Sequence, residues 1–453
     1  MTPKKEAPFL RATVIEVKGL FGIYNHRVVL NADERITIIH GPNGVGKTVF
    51  LGLTTAVLTN RMTRYLEVPF STLSVSFDDG SVLSLKKETE LKDRRQAQGS
   101  TSNKMVYRWK NKKQEESFED SPHSAEEMAL RVAKEIPFVF RVGADQWMDD
   151  RAEMVLTTEE LLAQYIDVVG PRYSKSRKKV PPWLSDLRRR MNVHFIETQR
   201  LLQLSRNLRL RRSSMPHSIP TVREYAEDLK NRISETLTDY GKRSEKLDQT
   251  FPQRLLKTAT EKFDIEELKR KISEINTKRS NLRDIGLLSE SSEDPTAEPD
   301  DQLDETQRKV MTLYVQDTFE KLSVFDDLAK RIETLCTIVN GKFENKKIRI
   351  LREAGLQAVG LRGQPLPLEA LSSGEQHEIV LLYNLLFKVK PNTLVLIDEP
   401  ELSLHVSWQK NFLDDLSKIV ALSEFDVVLA THSPYIVGDH SDLMIPLSAE
   451  VQP

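Results

Sequence analysis

The chain has 453 residues, 39% of them hydrophobic and 29% charged, which is enough for a full-sized core and two or three domains. Its 66 Lys and Arg against 67 Asp and Glu leave a formal charge of -1, which excludes a wholly basic nucleic-acid wrapper but not a local basic groove. The single cysteine, Cys336, excludes an intrachain disulfide framework and an all-cysteine zinc cluster.

No run approaches the roughly 18–20 apolar residues that span a bilayer, and residues 1–11 lack an apolar stretch of signal-peptide length. A cytoplasmic protein in a reducing setting, with no membrane partner, is expected. Short β-like runs open the chain. Ala12–Val17 and Arg35–His40 are rich in Val, Ile and Thr, and Ser71–Phe77 and Ser81–Lys86 flank the hairpin turn Asp78-Asp79-Gly80. Glu90–Ser121 reads as an exposed polar loop around a short strand at Met105–Trp109. Ala125–Lys134 predicts a helix, and Thr157 or Thr158 caps another that begins at Glu159. Basic residues then crowd the stretch from Arg172 to Arg212, around a buried strand at Val193–Ile196. That stretch suits either contact with a DNA backbone or a solvated face that meets an acidic protein.

From Thr221 the spacing turns helical. Apolar residues recur at steps of three or four from Val222 to Phe251, from Ile265 to Leu282, and from Val310 to Phe343, with charged outer faces. Three helices in an arm or compact hairpin are predicted. Glu290–Glu305 holds eight acidic residues, two prolines and no Lys or Arg, and reads as a solvated, disordered linker. After Leu366 the β/α pattern returns: a helix over Gly374–Lys388, buried strands at Thr393–Ile397 and Asp426–Ala430, and a helix over Leu404–Val420. Neither α/β piece makes a complete sheet alone. The expected organisation is therefore one head with lobes 1–215 and 350–453, split by an insertion at 216–349 that carries the acidic linker 288–305.

The chemistry-bearing motifs lie in the two lobes. Gly41-Pro42-Asn43-Gly44-Val45-Gly46-Lys47-Thr48 follows a strand and precedes an apolar helix, the setting a phosphate-binding loop requires. Its glycines turn backbone N–H groups toward phosphates, Lys47 reaches the β- and γ-phosphates, and Thr48 holds Mg²⁺. A chance glycine-rich turn would lack both flanks. Asp398 and Glu399 end the buried strand Leu394–Ile397; Asp398 suits the Mg²⁺ shell and Glu399 suits a general base toward water. Capping of the next helix is the plainer alternative for this pair. His432 follows another buried strand, within reach of a γ-phosphate or the attacking water. Leu371-Ser372-Ser373-Gly374-Glu375-Gln376 opens a helix and forms a second anion site, whose simplest use is ATP held by another subunit.

Together these elements resemble the head of ATP-binding-cassette ATPases, most closely the non-transporter branch of RecF-like, SMC-like and overcoming-lysogenization-defect proteins. The resemblance covers roughly residues 10–215 and 350–445. It implies an α/β head with a mixed or parallel sheet around the phosphate loop, split by a coiled-coil-like arm, that binds and hydrolyses ATP with Mg²⁺. Asn43, Gly44, Val45, Gly46, Lys47 and Thr48 would hold nucleotide. Ser372, Gly374 and Glu375 would belong to the signature that reaches ATP from a second copy. Ser373 replaces the first glycine of the usual signature pair, which weakens a transporter reading. Lys47, Glu399 and His432 would be catalytic. Thr48, Asp398 and Gln199 would face the metal, Gln199 by its likeness to the Q-loop glutamine in Phe195–Leu201. Glu401 and His405 resemble the D-loop region and would lie at the subunit interface.

The resemblance also implies partners. Homo-oligomers built from head-to-tail dimers are expected. The length and short insertion are similar to ATPase subunits of bacterial antiphage defence pairs, foremost the PARIS type with its TOPRIM nuclease. Septu- and retron-type ATPases with an HNH nuclease are near neighbours. The chain reaches Pro453 soon after the histidine element, so a nuclease effector on a separate polypeptide and a phage-encoded trigger protein are expected. RecF- or SMC-like work in DNA binding or repair is the alternative.

Overall fold

The structure, a computed structural model, describes residues 8–59, 62–65, 68–90, 102–112, 114–120, 125–150, 154–158, 160–162, 165, 180–196, 221–257, 263–289 and 303–447. The chain forms two compact units, one of residues 1–219 with 388–453 and one of residues 220–387. Residues 350–387 thus share a unit with the long helices. Among the described residues no helix is long and apolar enough to cross a membrane.

Among its described residues the first unit holds three sheets. Six antiparallel strands run in the order β2 (Tyr24–Val29), β1 (Ala12–Leu20), β4 (Thr72–Phe77), β5 (Val82–Glu90), β6 (Ser102–Lys110) and β7 (Glu115–Asp120). Five parallel strands run in the order β11 (Asn192–Ile196), β15 (Thr393–Asp398), β16 (Asp426–Ala430), β3 (Ile36–His40) and β17 (Met444–Pro446). A small antiparallel sheet, β10 (Met154–Thr157), β9 (Gln146–Asp149) and β8 (Val139–Arg141), builds a separate core on Trp147 with helix α2 (Ala125–Glu135).

Burial follows sheet type. β4 alternates between buried and half-buried residues, as an antiparallel strand with one face on the core should. β15 and β16 are buried at every residue, because helices and sheet cover both faces of a parallel strand. Helix α1 (Lys47–Thr59) shares its core with both sheets: Phe50, Leu53 and Val57 cluster with Ile15, Val17, Leu73 and Leu85 on one side and Leu396 and Val428 on the other. Helix α3 (Pro182–Arg190) adds Leu184 and Leu187 to the same cluster.

Among its described residues the second unit joins four consecutive helices, an antiparallel sheet and a fifth helix. These are α4 (Thr221–Lys257), α5 (Ile265–Asp284), α6 (Glu305–Leu322) and α7 (Asp326–Lys342), followed by β12 (Lys346–Leu351), β13 (Gly355–Gly360), β14 (Pro365–Leu366) and α8 (Ser373–Tyr383). At about 1.5 Å per residue, the 37 residues of α4 span about 55 Å. β13 starts at Gly355 with φ +68°, and a Cβ there would stand 1.9 Å from the Ala226 carbonyl oxygen, so glycine is required where strand and helix meet.

Several expectations are corrected. The third helical stretch is two helices, broken at the tight turn Ser323–Phe325, so four helices replace three. The helix expected over Leu404–Val420 is a short turn at Val406–Gln409 and then α9 (Phe412–Ser423). The polar loop around Met105–Trp109 is a hairpin, since β6 pairs with β7. β7 shows only Glu, Ser, Phe and Asp, the composition of an exposed edge strand. The acidic segment 290–302 and most of the basic stretch before and after α3 lie outside the described residues. The result is the α/β head anticipated from the motifs, with a parallel sheet ending at the phosphate loop and long helices inserted between its two sequence pieces.

Candidate functional site

The C-terminal ends of β15, β16 and β3 lie side by side, which is where parallel sheets bind ligands. β3 delivers the Gly41–Thr48 loop into the N-terminus of α1. Gly44 (φ +84°) and Gly46 (φ +93°) take backbone angles that other residues rarely adopt. A Cβ on Gly46 would also sit 2.7 Å from the Leu20 side chain. Asn43 and Gly44 are exposed, and Val45 is buried. The Val45 carbonyl lies 2.8 Å from Nε2 of His26, a histidine whose pKa burial pushes down. His26 is an anchor of the loop that no motif marks.

Lys47 is buried, and its Nζ donates to the carbonyls of Gly41 (2.9 Å) and Pro42 (3.2 Å) within its own loop. Burial lowers its pKa against the pull of Glu399, Asp398 and Glu401. Thr48 Oγ1 donates to Asp398 Oδ1 at 3.1 Å, across 350 positions of sequence. Asp398 is buried at the end of β15; burial pushes its carboxyl up, opposed by the Thr48 hydrogen bond and aided by Glu399 and Glu401.

Glu399 takes a left-handed backbone conformation (φ 43°, ψ 59°), a costly choice for a residue with a Cβ. Its N–H donates to the Ala430 carbonyl at 2.9 Å, which holds the strand ends together. His432 Nε2 stands 3.8 Å from Glu399 Oε1. Glu401 turns inward: its Oε1 accepts from Thr431 Oγ1 (2.8 Å) and from His432 N (2.7 Å). His405 is exposed, its Nδ1 2.7 Å from Ser407 Oγ.

This unit therefore brings Lys47, Thr48, Asp398, Glu399 and His432 to one edge. Gln199 lies outside the described residues. Among those residues no group of three His, Cys, Asp or Glu side chains gathers for a metal ion. The hydroxyl of Thr48 and the carboxylate of Asp398 are hard oxygen donors, and their contact suits Mg²⁺, which takes few protein ligands beside phosphate and water.

The Leu371–Gln376 turn belongs to the second unit and is built locally. Ser372 caps α8, and its hydroxyl accepts from Glu375 N while Glu375 Oε2 accepts from Ser372 N at 2.7 Å. Lys346 Nζ adds a salt bridge to Glu375 at 2.8 Å. Burial would push Glu375 up, but the hydrogen bonds from Lys346 and Ser372 win and its pKa is lowered. Ser372 is exposed, whereas Glu375 is buried and engaged by its own turn.

A phosphate loop and an acid-tipped strand meeting on a parallel sheet define a P-loop nucleoside-triphosphatase head. The sequence matches the family described as AAA ATPase domain over residues 14–437, and the chain belongs to that family. ATP binding and hydrolysis follow from that membership. A segment of 121 residues, 26% of the chain, is 33% identical to UvrABC system protein A of Aquifex aeolicus (strain VF5) and spans 13% of that protein's length. Among solved structures, an Smc head domain with an extended coiled coil bound to the C-terminal domain of ScpA, from Pyrococcus furiosus, is 13% identical with TM-score 0.36, covering 98% of this chain and 95% of that one. The SMC head domain of Thermotoga maritima is 11% identical with TM-score 0.32, covering 96% and 94%.

Proposed function

We propose that this ATPase is a RecF- and SMC-like head that pairs with a second copy across Mg-ATP and uses that closure in work on DNA. The observation that carries the engine is the Thr48–Asp398 contact beside the Glu399–His432 pair. Lys47 leaves its loop carbonyls to meet the β- and γ-phosphates. Thr48 and Asp398, with Gln199, hold Mg²⁺, which when bound neutralises phosphate charge. Glu399 takes the proton of the attacking water, and His432 orients that water or the γ-phosphate. Ser372 and Gly374 present the α8 N-terminus to nucleotide on the other copy, while Glu375 shapes the turn from behind. ATP then acts by shifting a population toward the paired state.

The basic run between Arg172 and Arg212 supports a DNA backbone contact. The test is DNA binding by the purified protein across a salt series, with and without ATP. Binding that weakens steeply with salt and strengthens with ATP is expected. Salt-independent or absent binding, together with co-purification of a nuclease or a phage protein, would instead favour control of a separate TOPRIM or HNH effector by the same engine. Lys47→Ala is expected to weaken ATP binding at least tenfold, as loss of a charged phosphate contact should; unchanged affinity by calorimetry would count against the assignment.

A further inference from the structure

Two segments at the edge of the parallel sheet are tied together by side chains that the phosphate loop and strand-end motifs do not name. Glu401 lies in the turn Pro400–Ser403, just after the strained Glu399. Its Oε1 receives two hydrogen bonds, from the Thr431 hydroxyl and the His432 backbone N–H. Its Oε2 is buried and makes no hydrogen bond among the described residues. Gln409, also buried, donates from Nε2 to the carbonyls of Glu401 (3.3 Å) and Leu404 (3.1 Å) and accepts at Oε1 from Ser433 Oγ (2.6 Å). Residues 401–409 thus grip the chain on both sides of His432.

The imidazole needs that grip. At 3.8 Å its Nε2 is beyond hydrogen-bond distance of Glu399, so this pair does not lock the ring in place. The position of the ring is inherited from the backbone at 431–433, and a carboxylate accepting a backbone N–H is a strong, charge-assisted way to fix it. The choice is specific: Glu401 is a third acid within four positions of Asp398 and Glu399, and its Oε1 is committed to Thr431 and His432. A side chain that only filled space would not need that charge.

We propose that Glu401 is a positioning residue for hydrolysis, holding Thr431 and His432 so that the imidazole stands beside Glu399, without itself touching nucleotide. The inference rests on the roles given above to Glu399 and His432. Removing the carboxylate frees the histidine segment and slows the chemical step while leaving ATP binding intact. Replacing it with the amide keeps an acceptor at the Oε1 position.

The test is steady-state ATP hydrolysis by Glu401→Ala, Glu401→Gln, His432→Ala and the double variant Glu401→Ala/His432→Ala, with thermal melts as a folding check. Glu401→Ala should lose about tenfold or more in kcat, the scale of a small misplacement of a reacting group, with KM for ATP nearly unchanged. Glu401→Gln should recover most of that loss. The double variant should be no slower than His432→Ala, because the two residues act as one unit. Full kcat in a folded Glu401→Ala, or a loss that multiplies in the double variant, would overturn this proposal and leave the His432 assignment standing. Full activity in His432→Ala would overturn both. If Glu401→Ala does not fold, Thr431→Val removes one donor to the same carboxylate; lowered kcat at constant KM supports the clamp, and unchanged kcat contradicts it.

Discussion

The two elements proposed to face ATP are made in opposite ways. The strand-end site in the first unit is assembled from afar, with Thr48 meeting Asp398 across 350 positions, a buried carboxylate held against its own solvation and Glu399 in a strained backbone state. The 371–376 turn in the second unit is assembled from neighbours, a capping box of four residues, Ser372 to Glu375, reinforced by Lys346. The first stores cost where charge must later be used; the second spends nothing unusual and holds its shape without a ligand. Removing a carboxylate from the first should therefore abolish chemistry with little harm to stability, whereas removing the support behind the second should cost stability first.

The largest effect is expected at Glu399. Glu399→Gln should slow single-turnover hydrolysis by about 10²–10⁴, the range of a lost general base, while bound ATP persists. Rapid repeated turnover by this variant would break the contrast. Asp398→Asn sharpens it further. Because burial raises the Asp398 pKa above its unfolded value, the native state holds that proton more tightly than the unfolded chain does. The ionised group therefore destabilises the nucleotide-free protein at neutral pH, and that cost is relieved as pH falls through the raised pKa. Asp398→Asn should raise Tm of the nucleotide-free protein yet nearly abolish Mg-dependent turnover; a lower Tm would show that the carboxylate stabilises the apo fold.

Lys346→Ala tests the other element. Lys346 is part-exposed and Glu375 buried, so the bridge is worth about 1–2 kcal/mol, and a fall of a few degrees in Tm is expected with turnover reduced only modestly. A collapse of activity with unchanged Tm would assign Lys346 to the reaction instead. The smallest effect concerns Cys336, whose thiol burial pushes up to about 12. It should alkylate slowly at pH 8 in the folded protein and rapidly once unfolded. Since the unfolded thiol ionises first, stability is lost as pH rises past the unfolded pKa. Fast labelling of the native protein would contradict that shift.

What was legible in the sequence follows the same division. Phosphate loop, acid-tipped strand and histidine were readable because their chemistry fixes residue types at close spacing, and β15 and β16 because buried parallel strands are uninterrupted apolar runs. β7 was not, since an edge strand of Glu, Ser and Asp with one apolar residue, Phe118, carries no apolar pattern. The break between α6 and α7 was hidden because a three-residue turn leaves the apolar spacing almost in phase. His26, Glu401 and Gln409 were invisible in their structural jobs, for hydrogen bonds across 19 to 30 residues have no local signature.

The most direct test of the shared-site account is the solution mass of Glu399→Gln by light scattering, with and without Mg-ATP. The account predicts that the mass at least doubles with Mg-ATP, and that adding Ser372→Arg to the same chain returns it to the nucleotide-free value while ATP stays bound. A mass indifferent to bound Mg-ATP would contradict it.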